Sequence, residues 1–331
     1  MIRWLTGLAA VSLAACAFGP SFPALAAPPD GAALEAHIVA PQLTDPNIDQ
    51  ALDDHYAWLD RTAPTNHQLL VYLPGNDGVP ANALLVQQQA ARLGYHVIGL
   101  MYVDGFSLAG LCNGDVDPNS CFERAHFEIV YGADVSSLVT VNPANSIVNR
   151  LTKFLLYLDV NYPTEAWGQF LADGNPSWAQ IAFGGLSQGA GNSAMIAKSH
   201  VVARVVMFSG VTDALPMGPS ACQGAASWLS RHTTPTDRYW GLVHDRDPAY
   251  PHICADWDSL GMYAFGPLVQ VETSAPPYGT THTLFTDLKP QREGYNAAHV
   301  STVIDFYTPL SADKTPELAD AWRYLLTATG R

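Results

Sequence analysis

Basic residues are scarce in this chain: 16 Lys and Arg stand against 30 Asp and Glu, a formal net charge of −14. No basic patch or stripe appears, which argues against a nucleic-acid partner. Charge of either sign is sparse, at 14% of residues, while 48% are hydrophobic. Those apolar residues are dispersed, and no run reaches the roughly 20 residues that a membrane-spanning helix needs. No C-x-x-C pair is present, so the usual spacing of a structural zinc site is missing. Neither an internal repeat nor a shift in composition divides the chain. Its 331 residues have room for one large α/β domain, and nothing marks a second independent one.

What is present begins with a targeting segment. Arg3 supplies a positive start, Trp4 to Ala15 is apolar, and Ala24-Leu25-Ala26 before Ala27 forms a small-x-small cleavage site. These features predict a signal peptide over residues 1–26 and an exported chain from 27 to 331, periplasmic or extracellular. Leu13-Ala14-Ala15-Cys16 supports a competing reading as a bacterial lipobox, with Cys16 acylated as a lipid anchor. Cysteine usage agrees with export. Of five cysteines one lies in the leader, which leaves Cys112, Cys121, Cys222 and Cys254. An even number in an exported chain suggests two disulfides. Cys112 and Cys121 flank a turn-rich loop and are the expected partners. Cys222 and Cys254 would then form the second bridge, although three pairings are possible in principle.

Along the chain, strand and helix patterns alternate, as a mostly parallel sheet flanked by helices requires. Strands are predicted over His67 to Leu73, Tyr95 to Val103, Gln180 to Leu186, Val202 to Ser209, Arg238 to His244 and Leu268 to Thr273. His282 to Asp287 is a further short strand or a hairpin partner. Helices are predicted over Pro80 to Leu93, Asn145 to Val160, Asn192 to Ser199, from Val300 toward Phe306, and over Leu318 to Thr327. Ile147, Leu151, Phe154, Leu155 and Leu158 give the second of these an apolar face. Asp104 to Val141 has no clear period and reads as an irregular insertion. Gly210 to Asp237 is polar, rich in Pro and Gly, and partly helical around Ala225 to Arg231.

One stretch carries chemistry. The apolar run from Ile181 leads into Gly185-Leu186-Ser187-Gln188-Gly189 and then into a helix of small residues. This is the G-x-S-x-G pattern in a strand–turn–helix setting. A serine on such a sharp turn is strained, and its neighbours must lack bulk where strand and helix pass close together. Ser187 needs a base, and the base needs an orienting acid. Asp247, just past the strand that ends at His244, is the preferred acid, with Asp245 as rival. His299, on a loop at a helix start, is the preferred base among eleven histidines, with His282 as rival. The oxyanion of an acyl-transfer intermediate needs two N–H donors. Gln188, directly after the serine, is one. The loop Pro74-Gly75-Asn76-Asp77-Gly78 supplies the other, at Asn76 or next at Asp77.

On these residues the chain resembles the α/β-hydrolase superfamily. The likeness rests on the elbow at Gly185–Gly189, the Pro74-Gly75-Asn76 loop, and the order Ser187, Asp247, His299, and it spans most of residues 60 to 310. The resemblance implies a central, mostly parallel sheet flanked by helices, with a lid-like segment at 210–237; the disulfide-bearing insertion at 104–141 is where the chain departs from it. It further implies an exported serine hydrolase that cleaves small or polymeric carboxylic esters through an acyl-enzyme on Ser187, with no metal or organic cofactor required. A peptidase or amidase on the same fold, or a non-catalytic binding protein, are the alternatives. Trp228, Trp240, Phe106 and Tyr250 are the expected lining of an apolar acyl pocket.

Overall fold

The structure is a computed structural model and describes residues 34–215 and 224–329. The expected signal peptide, Cys16 and Cys222 lie outside the described residues. In chain order the strands are β1 (Glu35–Val39), β2 (His55–Leu59), β3 (Leu69–Leu73), β4 (His96–Gly99), a small separate hairpin β5 (Leu171–Ala172) and β6 (Asn175–Pro176), then β7 (Ile181–Leu186), β8 (Arg204–Phe208), β9 (Tyr239–His244), β10 (Val269–Gln270) and β11 (Thr283–Thr286). Nine of them form one sheet in the order β1-β2-β4-β3-β7-β8-β9-β11-β10. Only β2 runs against its neighbours, pairing antiparallel with both β1 and β4. The strands from β4 across to β10 are parallel.

The helices are α1 (Pro41–Thr44), α2 (Leu84–Arg92), α3 (Leu108–Cys112), α4 (Pro118–Tyr131), α5 (Ile147–Asn161), α6 (Gln188–Ser199), α7 (Tyr250–Ser259), α8 (Ala297–Val300) and α9 (Ala319–Thr327). Central strands read as unbroken apolar runs because both faces of the sheet are covered. Side chains alternate along each strand, so Leu69, Val71 and Leu73 pack beneath α4, α5, α6 and α7, while Leu70 and Tyr72 pack beneath α2 and α9. No described helix is long and apolar enough to cross a membrane.

Several expectations need correction. The segment 104–141 is not irregular: it holds α3 and α4. Ser107 caps α3 by accepting the Gly110 N–H at 3.4 Å, and Asp117 caps α4 by accepting the Ser120 N–H at 3.2 Å, ahead of Pro118. The polar turn between Cys112 and Asp117 masks both starts in the sequence. Cys112 and Cys121 are joined by a disulfide, tying the end of α3 to the first turn of α4. Cys254 is a buried free thiol.

In the described parts of 210–237, Val211, Ala226, Trp228 and Leu229 are buried, and 3₁₀ turns form at Ser227–Ser230 and Thr236–Arg238. The helix expected from Val300 is not formed, because the chain turns so that Asp305 can accept the Leu84 and Leu85 N–H groups that open α2. The strand expected over Leu268 to Thr273 pairs only at Val269–Gln270, and β11 is a parallel strand between β9 and β10 rather than a hairpin arm.

Candidate active site

The carboxyl ends of β3, β7, β8 and β9 lie side by side, and ligand sites of open parallel sheets form there. Ser187 stands at the end of β7, immediately before α6. Its backbone has φ 53° and ψ −116°, an uncommon region for a residue with a Cβ. Neighbours on both sides hold it there. The Ser187 N–H donates to Phe208 O at 2.9 Å, and the Ser187 carbonyl accepts the N–H groups of Ala190 and Gly191. Steric contact explains the flanking glycines. A Cβ on Gly185 would lie 2.4 Å from the Gly189 carbonyl carbon, and one on Gly189 would lie 2.2 Å from Leu73 O.

After β9, the turn at Asp247 is closed by its N–H donating to His244 O at 3.0 Å. Asp247 Oδ1 accepts the Ala249 N–H at 2.8 Å, and Oδ2 lies 2.8 Å from His299 Nδ1. The Asp247 side chain is fully buried and that of His299 is 15% exposed. A carboxylate at this distance places the proton on Nδ1 and leaves Nε2 free to accept one. His299 and Ser187 line one cavity of about 250 Å³, together with Gly75, Asn76 and Gln188. A cleft of about 200 Å³ shares Ser187 and His299 and includes Asp247. Ser187 and His299 make no hydrogen bond to each other among the described residues, although both line the two cavities.

Gln188 opens α6, so its N–H has no partner within the helix. The β3 exit loop is tied down elsewhere: Asn76 Nδ2 donates to Asp104 O at 2.8 Å, and the Asp77 N–H donates to the same oxygen at 3.3 Å. Asp77 is thereby committed, while the Asn76 N–H makes no hydrogen bond among the described residues.

The rival residues go elsewhere. Asp245 pairs with His244 Nδ1 at 2.9 Å and lies 3.7 Å from Arg246 Nε. His282 is buried between the rings of Trp240 and Phe265, at centroid distances of 3.6 and 4.1 Å, with Nδ1 on Tyr239 O. Burial pulls its pKa down to about 4. None of the four expected aromatics lines the cavity. Trp240 belongs to the opposite face of the sheet, and Trp228 turns its indole N–H to Asp213. The walls are instead rich in polar groups, among them Ser107, Thr212, Asp213 and Asn296.

Two wall residues were not singled out by the sequence. His126 of α4 and Asp213 beyond β8 both face the cavity and are paired at 3.1 Å. A signal for His126 was available, since it shares a helix face with Phe122 and Ile129, four residues before and three after, where a polar group needs a buried partner. Compared with known proteins, the sequence matches no family model and no curated protein.

Proposed function

We propose that this protein is an exported serine hydrolase of the α/β-hydrolase type that cleaves carboxylic esters. The observation that carries the reading is the strained Ser187 sharing a cavity with a histidine whose Nδ1 is held by the buried Asp247. In this reading Ser187 Oγ attacks the acyl carbon while His299 Nε2 takes its proton. Asp247 keeps the ring in the required tautomer and stabilises the imidazolium as it forms. The N–H groups of Gln188 and Asn76 receive the developing oxyanion, as expected for the residue after the nucleophile and the loop after the third strand. His299 returns the proton to the leaving alcohol, and a water activated by the same ring then releases the acid. Each step uses groups this chain supplies. The leader over residues 1–26 and the Cys112–Cys121 disulfide support export.

Labelling with a fluorophosphonate, followed by peptide mapping, tests the reading. The expected result is one adduct on Ser187 and turnover of p-nitrophenyl butyrate well above that of an aminoacyl anilide. Folded protein that takes up no label overturns the assignment of Ser187, and faster anilide cleavage overturns the ester reading.

A further inference from the structure

One wall of the Ser187 cavity is built from charged groups withdrawn from water, and no step above uses them. His126 and Asp213 are 1% and 2% exposed. His126 Nδ1 lies 2.7 Å from Asn192 Oδ1, and Nε2 lies 3.1 Å from Asp213 Oδ2 and 3.3 Å from Oδ1. Both ring nitrogens are thus hydrogen-bonded within the protein, one to an amide and one to a carboxylate. Burial opposes a charge on the ring, but the Asp213 carboxylate and the two hydrogen bonds outweigh it and hold the pKa above its ordinary value.

The backbone makes room for this ring. A Cβ on Gly191 would lie 2.5 Å from His126 Cε1. Behind the pair, Asp256 Oδ2 accepts the Asp213 N–H at 2.8 Å. The Asn192 and Gln188 amides lie against the Tyr102 hydroxyl, which holds them in place beside the pair. Removing two charges from water costs several kcal/mol per ion before their attraction offsets it, and an alkyl chain would gain nothing from such a wall. A substrate with its own polar group would.

The chemistry of the wall selects that group. In the wall the carboxylate and the imidazole are already bonded to each other, so neither an ammonium nor a carboxylate meets an isolated opposite charge. Asp213 accepts from His126 and, through Oδ2, from the Trp228 indole N–H at 3.0 Å. A carboxylate has about four lone-pair sites, so acceptor capacity remains at the cavity wall. A hydroxyl suits it. The cavity, at about 250 Å³, is smaller than the roughly 300–1,000 Å³ typical of sites for larger ligands.

We propose that the His126–Asp213 pair is a specificity site for a substrate hydroxyl, and that the preferred substrates are short carboxylic esters bearing a hydroxyl near the scissile carbonyl. This rests on the serine-hydrolase reading. Sites built to bond a substrate hydroxyl discriminate strongly against analogues without it, because their own polar groups are then left unpaired.

Ester cleavage followed by pH-stat tests the proposal in two arms. Ethyl β-hydroxybutyrate is compared with ethyl butyrate for a hydroxyl in the acyl part. Ethylene glycol monobutyrate is compared with propyl butyrate for one in the alcohol part. The expected kcat/KM ratio favours the hydroxylated ester by about tenfold or more in one arm, and falls toward one in Asp213→Asn and His126→Gln, mainly through KM. Wild-type protein that shows no preference in either arm overturns the proposal irrespective of how the variants fold. So does a preference that survives in both variants. Fluorophosphonate labelling separates the two levels. If Ser187 labels but no preference exists, only the hydroxyl site fails; if folded protein does not label, the hydrolase reading fails and this proposal with it.

Discussion

Arg150 and His126 are both basic side chains buried under the same face of the sheet, on the adjacent helices α5 and α4, and they differ in what they are bonded to. Arg150 has all five N–H donors engaged. Nε donates to Asn145 O, Nη1 to Ala51 O and Met101 O, and Nη2 to Gln50 O and Asn145 Oδ1. These bonds join the start of α5 to the turn before β2 and the segment after β4, and hold Ala51 at a φ of 44°. His126 is bonded at both nitrogens, but to side chains, those of Asn192 and Asp213, and Asp213 lines the Ser187 cavity. Arg150 is tied mainly to backbone carbonyls and serves the fold, whereas His126 is tied to a carboxylate at a cavity wall, within reach of a ligand.

Substitutions can break or sharpen that contrast. The largest effect is expected on the site side. Asp247→Asn should lower kcat on p-nitrophenyl butyrate by about 10⁴-fold, because the neutral amide no longer holds the ring in the required tautomer. Its thermal midpoint should stay near that of the wild type, and a loss below tenfold would remove Asp247 from its role.

Next comes the structural node. Arg150→Met strands four backbone carbonyls, and should cost about 3–5 kcal/mol in urea unfolding without changing kcat of the folded fraction. A cost below 1 kcal/mol would show that saturation of this node does not matter.

The smallest effect is expected at Asp256. Burial, with the Asp213 carboxylate beside it, holds Asp256 well above the usual carboxylate range. A carboxyl raised in the fold contributes stability that is complete below its unfolded pKa of about 3.9 and is lost as pH rises toward the folded value. Asp256→Asn removes this titration and retains an acceptor for the Asp213 N–H. Urea midpoints of the variant relative to the wild type should therefore rise as pH increases from about 4 to about 8. A flat difference would mean that Asp256 does not carry the titration.

Local chemistry was the legible part of the sequence. Ser187 is announced by two glycines whose absence of Cβ is a steric requirement, and Asp247 follows a buried strand directly. Both signals fit within a few residues. His299 was separable from His282 only in part, because the ring stacking that buries His282 involves Trp240 and Phe265, distant in sequence. His126 was passed over for the same reason: its partners lie 66 and 87 residues away. Weak strands at the sheet edge were hard to read as well. β1 leaves Glu35, Ala36 and Ile38 exposed, so its pattern lacks the apolar run that marked the central strands. α4 was hidden by the turn residues before it, although its cap at Asp117 and its Pro118 are standard start signals.

Gln188 and Asn76, the proposed oxyanion donors, lie next to Gly189 and Gly75. Gly189 meets the β3 exit at the Leu73 and Pro74 carbonyls, and Gly75 faces the Leu186 carbonyl, so backbone rests on backbone with no side chain as spacer. The gap between the two N–H groups is therefore independent of which side chains line the cavity. Ser107, His126 and Thr212 can be exchanged for other chemistry while the pair that receives the negative charge keeps its spacing. In the proposed reading, substrate choice and transition-state stabilisation fall to different residues, and Gly189 is fixed by backbone alone, since a Cβ there would lie 2.2 and 2.4 Å from the Leu73 and Pro74 carbonyl oxygens.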